Sequence, residues 1–266
     1  MLKKGTTMRF VFIAAALVAL PAAALGQVHA GDIILKYDGT RIIVGRVEGG
    51  QIVYGARVVS GAFGDIGIPS ATFNPGYDSE AGAFPPQQIV GLTVRRALRV
   101  WDGQDFDEVP EEQLRLTKQQ NTAETPPGDP PTCQVAGSLP LGLSSSSGKL
   151  HQHPAYELLA PADPGVYLLE LEAWMGAAGS AVSLPFWIVF SQEASLAEVE
   201  AAFEYAEQIL TCPADFNRDG LLTVSDFGAF QTGYVVQNPR ADFNRDCAWT
   251  VADFGAFQTA FVLACP

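Results

Sequence analysis

Five oxygen-bearing side chains occur twice near the C-terminus at a spacing that can wrap a hard cation. Asp215, Asn217 and Asp219 stand at alternate positions, Gly220 follows, and Thr223 and Asp226 close the stretch. Asp242, Asn244, Asp246, Thr250 and Asp253 repeat it 27 residues further on. Counted from Asp215 or Asp242, these residues fall at positions 1, 3, 5, 9 and 12 of a calcium loop, and the main-chain carbonyls of Leu221 and Ala248 supply position 7. Glycine at position 6 permits the sharp turn. Gly220 provides it in the first loop, whereas Cys247 stands there in the second, where a side chain is penalised. One or two Ca²⁺ ions are therefore the expected cofactor.

A second set of donors is sparser. The chain has three histidines, His29, His151 and His153. In an extended segment residues i and i+2 share a face, so His151 and His153 point the same way, with Glu157 further along. Two imidazoles and a carboxylate suit Zn²⁺ or Cu²⁺. Pro154 interrupts strand pairing there, and a surface or structural role for the two histidines is the alternative.

The elements that must hold the loops come next. After each loop a helix carries an aromatic stripe, Phe227, Phe230 and Tyr234, then Phe254, Phe257 and Phe261. Neither stripe can be buried alone, so the two helices should pack about a pseudo-twofold axis. An ordinary EF-hand would need a helix before each loop, and here the loops begin almost directly after Cys212 and Pro239. Four cysteines fit an oxidising compartment and allow three connectivities. Cys212 with Cys265 would clasp the two ends of the repeat, leaving Cys133 with Cys247 to tie it to the preceding region.

Residues 212–266, with two helix-trailing loops ending in Asp, resemble the dockerin module of type I and its cysteine-flanked bacterial relatives. The resemblance implies a small all-α, calcium-binding fold that docks onto a cohesin domain of a scaffold or surface protein. Its matching ligands are Asp215, Asn217, Asp219 and Asp226, then Asp242, Asn244, Asp246 and Asp253. The positions that read the cohesin correspond to Val224 and Ser225, and to Val251 and Ala252. They depart from the Ser-Thr pair common in cellulose-degrading assemblies, which leaves the cohesin class open.

Upstream, residues 1–26 combine a basic start with an apolar run, Phe10 to Leu20, then Ala24 and Gly26 before a cleavage point, as a secretory signal does. Removing Lys3, Lys4 and Arg9 leaves 13 basic against 29 acidic residues, which argues against nucleic acid or an anionic membrane as partner. The chain should be secreted, extracellular or attached at the cell surface, with no transmembrane segment after processing.

The body reads as mainly β, of β-sandwich or jelly-roll type. Apolar runs from Asp32 to Ser60 are punctuated by Asp38-Gly39 and Gly49-Gly50, both hairpin signals. Residues 61–88 form a Gly- and Pro-rich excursion whose rings, Phe63, Phe73, Tyr77 and Phe84, should fill the core. The β-rich region 27–118 gives way to a Pro/Ser-rich loop or linker at 119–148, then to β structure at 149–192. A connecting helix at 193–211 opens with a Ser195/Glu198 capping box. The segment from His151 to Leu169 resembles a His-x-His, Pro-Gly-x-Tyr pattern of bacterial surface-anchored β-sandwich repeats, which implies an extracellular binding or structural module.

A non-catalytic secreted protein is the favoured expectation. The alternative is a component of extracellular polysaccharide breakdown, an O-glycosyl hydrolase or a carbohydrate-binding accessory protein. A hydrolase of that kind needs two carboxylates across a cleft; Asp102, Asp105, Asp107 and Glu108 cluster near Trp101, but clustered acids in a polar turn are usually solvated, and neither Gly-x-Ser-x-Gly nor His-Glu-x-x-His occurs.

Overall fold

The computed structural model describes residues 28–176 and 181–265, so the expected leader lies outside the described residues. The chain is mainly β. In order, its strands are β1 (Ile33–Tyr37), β2 (Ile42–Glu48), β3 (Gln51–Tyr54), β4 (Val58–Ala62), β5 (Ala71–Thr72), β6 (Tyr77–Asp78), β7 (Ile89–Val94) and β8 (Arg99–Val100). There follow β9 (Leu114–Lys118), β10 (Asn121–Glu124), β11 (Gly137–Leu143), β12 (His151–Gln152), β13 (Ala155–Leu158), β14 (Gly165–Met175), β15 (Ala181–Val182) and β16 (Phe186–Gln192). The α-helices are α1 (Leu196–Tyr205), which runs on into a π-helical turn (Ala206–Leu210), α2 (Val224–Val235) and α3 (Val251–Val262), with a 3-10 turn at Pro239–Ala241.

Three sheets result, in the orders β12-β6-β1-β2-β3, β10-β9-β13-β5 and β11-β7-β14-β16-β4, with β8 and β15 also on β14. The Asp38-Gly39 and Gly49-Gly50 turns join β1 to β2 and β2 to β3 as antiparallel hairpins. At the first, the Asp38 carboxylate accepts the amides of Thr40 and Arg41, both at 2.8 Å. One buried cluster runs through all three sheets, from Ile33 and Val44 to Leu116, Tyr156 and Phe190. The regions 27–118 and 149–192 therefore share a core.

Residues 119–148, read as loop or linker, instead supply two strands. β10 turns back on β9, burying Ala123 and leaving Asn121, Thr122 and Glu124 in solvent at a sheet edge. β11 lies at the edge of the seven-stranded sheet, where Pro140 is tolerated beside a register shift. β10 is polar but for Ala123, and Pro140 and Gly142 interrupt the alternation of Leu139, Leu141 and Leu143 in β11, which is why both read as linker. Of the four rings in the 61–88 excursion, Phe63, Tyr77 and Phe84 are buried, and Phe73 is exposed.

The central strands β14 and β16 are near-continuous apolar runs because both of their faces are covered. Tyr167, Leu169, Phe186, Ile188 and Phe190 enter the main core, whereas Val166, Leu168, Trp187 and Val189 face the other way. On that side α1 lays down Val199, Ala202 and Phe203, after the capping box in which Ser195 and Glu198 bond reciprocally. Leu196, in the first turn of α1, is exposed.

The C-terminal segment has its own small core. Phe216, Phe230 and Phe257 are buried in it, with Phe227, Tyr234, Phe243, Phe254 and Phe261 packed around them. Its ring contacts obey a twofold relation. Phe227 meets Phe257 at 5.0 Å and 87°, and the equivalent pair, Phe254 with Phe230, meets at 4.9 Å and 89°. Phe227–Phe261 and Phe254–Tyr234 are both 4.8 Å and 65°.

Candidate metal-binding sites

In the first acidic loop, Asp215 accepts the amides of Asp219 (3.2 Å) and Gly220 (2.9 Å), and Asp219 accepts that of Leu221 (2.9 Å). Asp226 receives the amides of Asn217 (3.2 Å) and Thr223 (2.8 Å). Thr223 caps α2 with its side-chain oxygen and forms a capping box with Asp226. The second loop reproduces these bonds: Asp242 takes Asp246 and Cys247, Asp246 takes Ala248, and Asp253 takes Asn244 and Thr250. Thr250 and Asp253 cap α3 in the same way. Leu221 and Ala248 thus sit at equivalent places in two nearly superposable turns.

Asp215, Asp226, Asp242 and Asp253 are all buried. Burial pushes the Asp215 carboxyl above its ordinary range, opposed by the amides of Gly220 and Asp219 and reinforced by the charges of Asp226 and Asp219. A donor set of carboxylate, amide and hydroxyl oxygens fits a hard cation such as Ca²⁺, which would supply the countercharge. The residues that would hold it are Asp215, Asn217, Asp219 and Asp226, with Thr223 and the Leu221 carbonyl, and their counterparts in the second loop.

Cys247 keeps the turn that Gly220 makes. Its φ is 63°, against 79° at Gly220, a left-handed conformation that costs a residue with a β-carbon roughly 1–2 kcal/mol. Its sulfur is bonded to Cys133, and Cys212 is bonded to Cys265. The second loop is therefore fastened to the β body. Arg245 strengthens this by pairing with Glu172 at 2.7 Å and Glu170 at 3.4 Å, and Thr132 donates to Asp242. Arg218, its equivalent in the first loop, pairs with Asp107.

The histidines do come together, but not with Glu157. Pro154 ends the pairing of β12, and β13 begins in another sheet, where Glu157 binds Arg115 at 3.1 Å. What joins His151 and His153 is the start of the chain's first strand. His29 and Asp32 approach because β6 pairs with β1 on one side and β12 on the other. The rings of His29 and His151 lie 4.6 Å apart, and those of His151 and His153 5.0 Å. Asp32 Oδ2 lies 3.6 Å from His29 Nδ1, 4.0 Å from His151 Nδ1 and 3.6 Å from His153 Nε2. His29 and His151 are 122 positions apart, and the one cue in sequence was that the chain has no histidine elsewhere.

No protein-family model matches the chain, and no curated protein matches it.

The acids beside Trp101 form a turn. Asp102 accepts the amides of Gln104 and Asp105, Asp105 accepts that of Asp107, and Trp101 packs on Phe106 and Tyr205. A cavity of about 840 Å³ opens between the seven-stranded sheet and the C-terminal segment. Among its charged walls Arg96 and Arg99 pair with Asp129 and Arg245 with Glu170 and Glu172, whereas Arg57 donates to the Pro185 and Thr211 carbonyls and Arg240 lies over the Phe216 ring. Among the described residues no helix is long and apolar enough to cross a membrane.

Proposed function

We propose that this is a secreted, non-catalytic protein whose dockerin-like C-terminal module binds Ca²⁺ and attaches a β-sandwich-like body to a cohesin-bearing scaffold or cell surface. The observation that carries the reading is the twofold agreement of the two loop-helix units, in hydrogen bonds, caps and ring contacts alike. A second feature favours attachment. Val224 and Val251, at equivalent first positions of α2 and α3, are each 83 % exposed, and Val235 and Val262 at the far ends are 79 % and 80 % exposed. Apolar side chains left in solvent at symmetric places suit a docking face.

The test is capture of cohesin-type surface proteins by the full chain in Ca²⁺ and in excess chelator, together with limited proteolysis of residues 212–266. Binding and protection should both require Ca²⁺, and Val224→Arg with Val251→Arg should abolish binding while leaving protection intact. Equal cleavage with and without Ca²⁺ would rule the reading out.

A further inference from the structure

We propose that His29, Asp32, His151 and His153 form a binding site for zinc, separate in place and in chemistry from the acidic loops. All three histidines of the chain converge on one carboxylate, and their donor atoms lie within 4.8 Å of one another. The separations matter. At 3.6, 4.0 and 3.6 Å the ring nitrogens are too far from Asp32 Oδ2 to hydrogen bond with it. Donors sharing a tetrahedral zinc ion at about 2.0–2.1 Å stand roughly 3.3 Å apart, so the three imidazoles need to close on Asp32 by only about 0.3–0.7 Å, and the widest separation in the cluster by about 1.5 Å, within reach of rotamer adjustment of exposed rings.

Asp32 is prepared for such a role. Its Oδ1 accepts the Gly76 amide at 3.0 Å, and its Oδ2 is buried without any hydrogen-bond partner. A buried anionic oxygen left unpaired is costly, and a cation bound by the surrounding imidazoles would satisfy it. His153 is fixed as well. Its Nδ1 lies 3.0 Å from the Phe73 carbonyl, which can only accept, so the ring proton sits on Nδ1 and the Nε2 lone pair faces Asp32. Gly76 makes room for that ring, because a β-carbon there would overlap it.

Asp78 backs the cluster. Its Oδ2 accepts the His29 amide at 3.1 Å and lies 3.6 Å from His151 Nδ1, and its Oδ1 holds the Ser79 amide and Lys149. The carboxylates are buried, while the His29, His151 and His153 side chains are 62 %, 39 % and 32 % exposed, so an ion can enter from solvent. Three imidazole nitrogens and one carboxylate oxygen suit zinc. Calcium and magnesium prefer sets made of oxygen alone.

The experiment is isothermal titration of Zn²⁺ into the disulfide-bonded chain from residue 27 onward, stripped of metal and then kept in saturating Ca²⁺. One equivalent should bind, and Co²⁺ in its place should give the intense visible bands of a tetrahedral site. His29→Ala and His153→Ala should each weaken Zn²⁺ binding by at least about tenfold to a hundredfold. Asp32→Asn should do the same. His29 is exposed enough that its truncation leaves the fold intact, which far-ultraviolet circular dichroism checks, so that variant decides the matter even if Asp32→Asn misfolds. Absence of a saturable site, or Zn²⁺ binding unchanged in His29→Ala and His153→Ala, would overturn the proposal.

Discussion

Phe230 and Phe257 stack face to face across the pseudo-twofold axis of the C-terminal segment, with ring centroids 4.3 Å apart and planes 9° from parallel. Each is fully buried and each is the middle residue of its helix's aromatic stripe. Because the pair lies on the axis, the two rings see the same surroundings. Phe230→Ala and Phe257→Ala should therefore destabilise the segment equally, by about 3–5 kcal/mol each. Hydrogen exchange of α2 and α3 measures this, and a large effect from one with silence from the other would contradict the symmetry.

The Cys133–Cys247 bond joins residues 114 apart and fastens the second loop to the body. Replacing both cysteines by serine should lower stability by about 2–5 kcal/mol, mainly through the freed unfolded chain. Arg245 would still hold Glu172, so the loop should remain docked. Denaturant titration gives the first quantity, and an Arg245→Ala addition that costs nothing further would refute the second.

Gly91 in the central strand β7 has Trp174 lying directly over its α-carbon, and the indole donates to the Leu92 carbonyl at 3.0 Å. Gly91→Ala would drive a methyl group into that ring and should cost about 1–3 kcal/mol. The same substitution in a Trp174→Ala background should cost less, the remainder being the Leu139 carbonyl oxygen that the methyl group would still meet at 2.8 Å. Thermal unfolding of the four variants closes the cycle, and additive losses would show that the indole is not the obstacle.

The two acidic loops were legible in sequence because all that builds them is local. Ligand positions, turn residue, N-cap and aromatic stripe follow one another within each repeat, so spacing alone fixes which oxygens can meet. Of the three connectivities open to four cysteines, the one favoured because Cys212 and Cys265 bracket that repeat is the one the structure adopts. Hairpins at Asp38-Gly39 and Gly49-Gly50, and the Ser195/Glu198 cap, were equally short-range. Mainly β character could be read too, but β10 and β11 could not, since β10 buries only Ala123 and the alternation of Leu139, Leu141 and Leu143 in β11 is interrupted by Pro140 and Gly142.

The histidine cluster shows the opposite case. Sequence offered His151 and His153 on one face and pointed onward to Glu157, because alternation assumes a strand that continues. Pro154 breaks it, and Glu157 leaves for another sheet to meet Arg115. The actual neighbours, His29 and Asp32, arrive through the pairing of β6 with both β1 and β12. Local spacing determined the loops, whereas only the long-range register of three short strands decided which residues surround Asp32. Contacts between segments over a hundred residues apart arise when the core closes, and no periodicity along the chain encodes them.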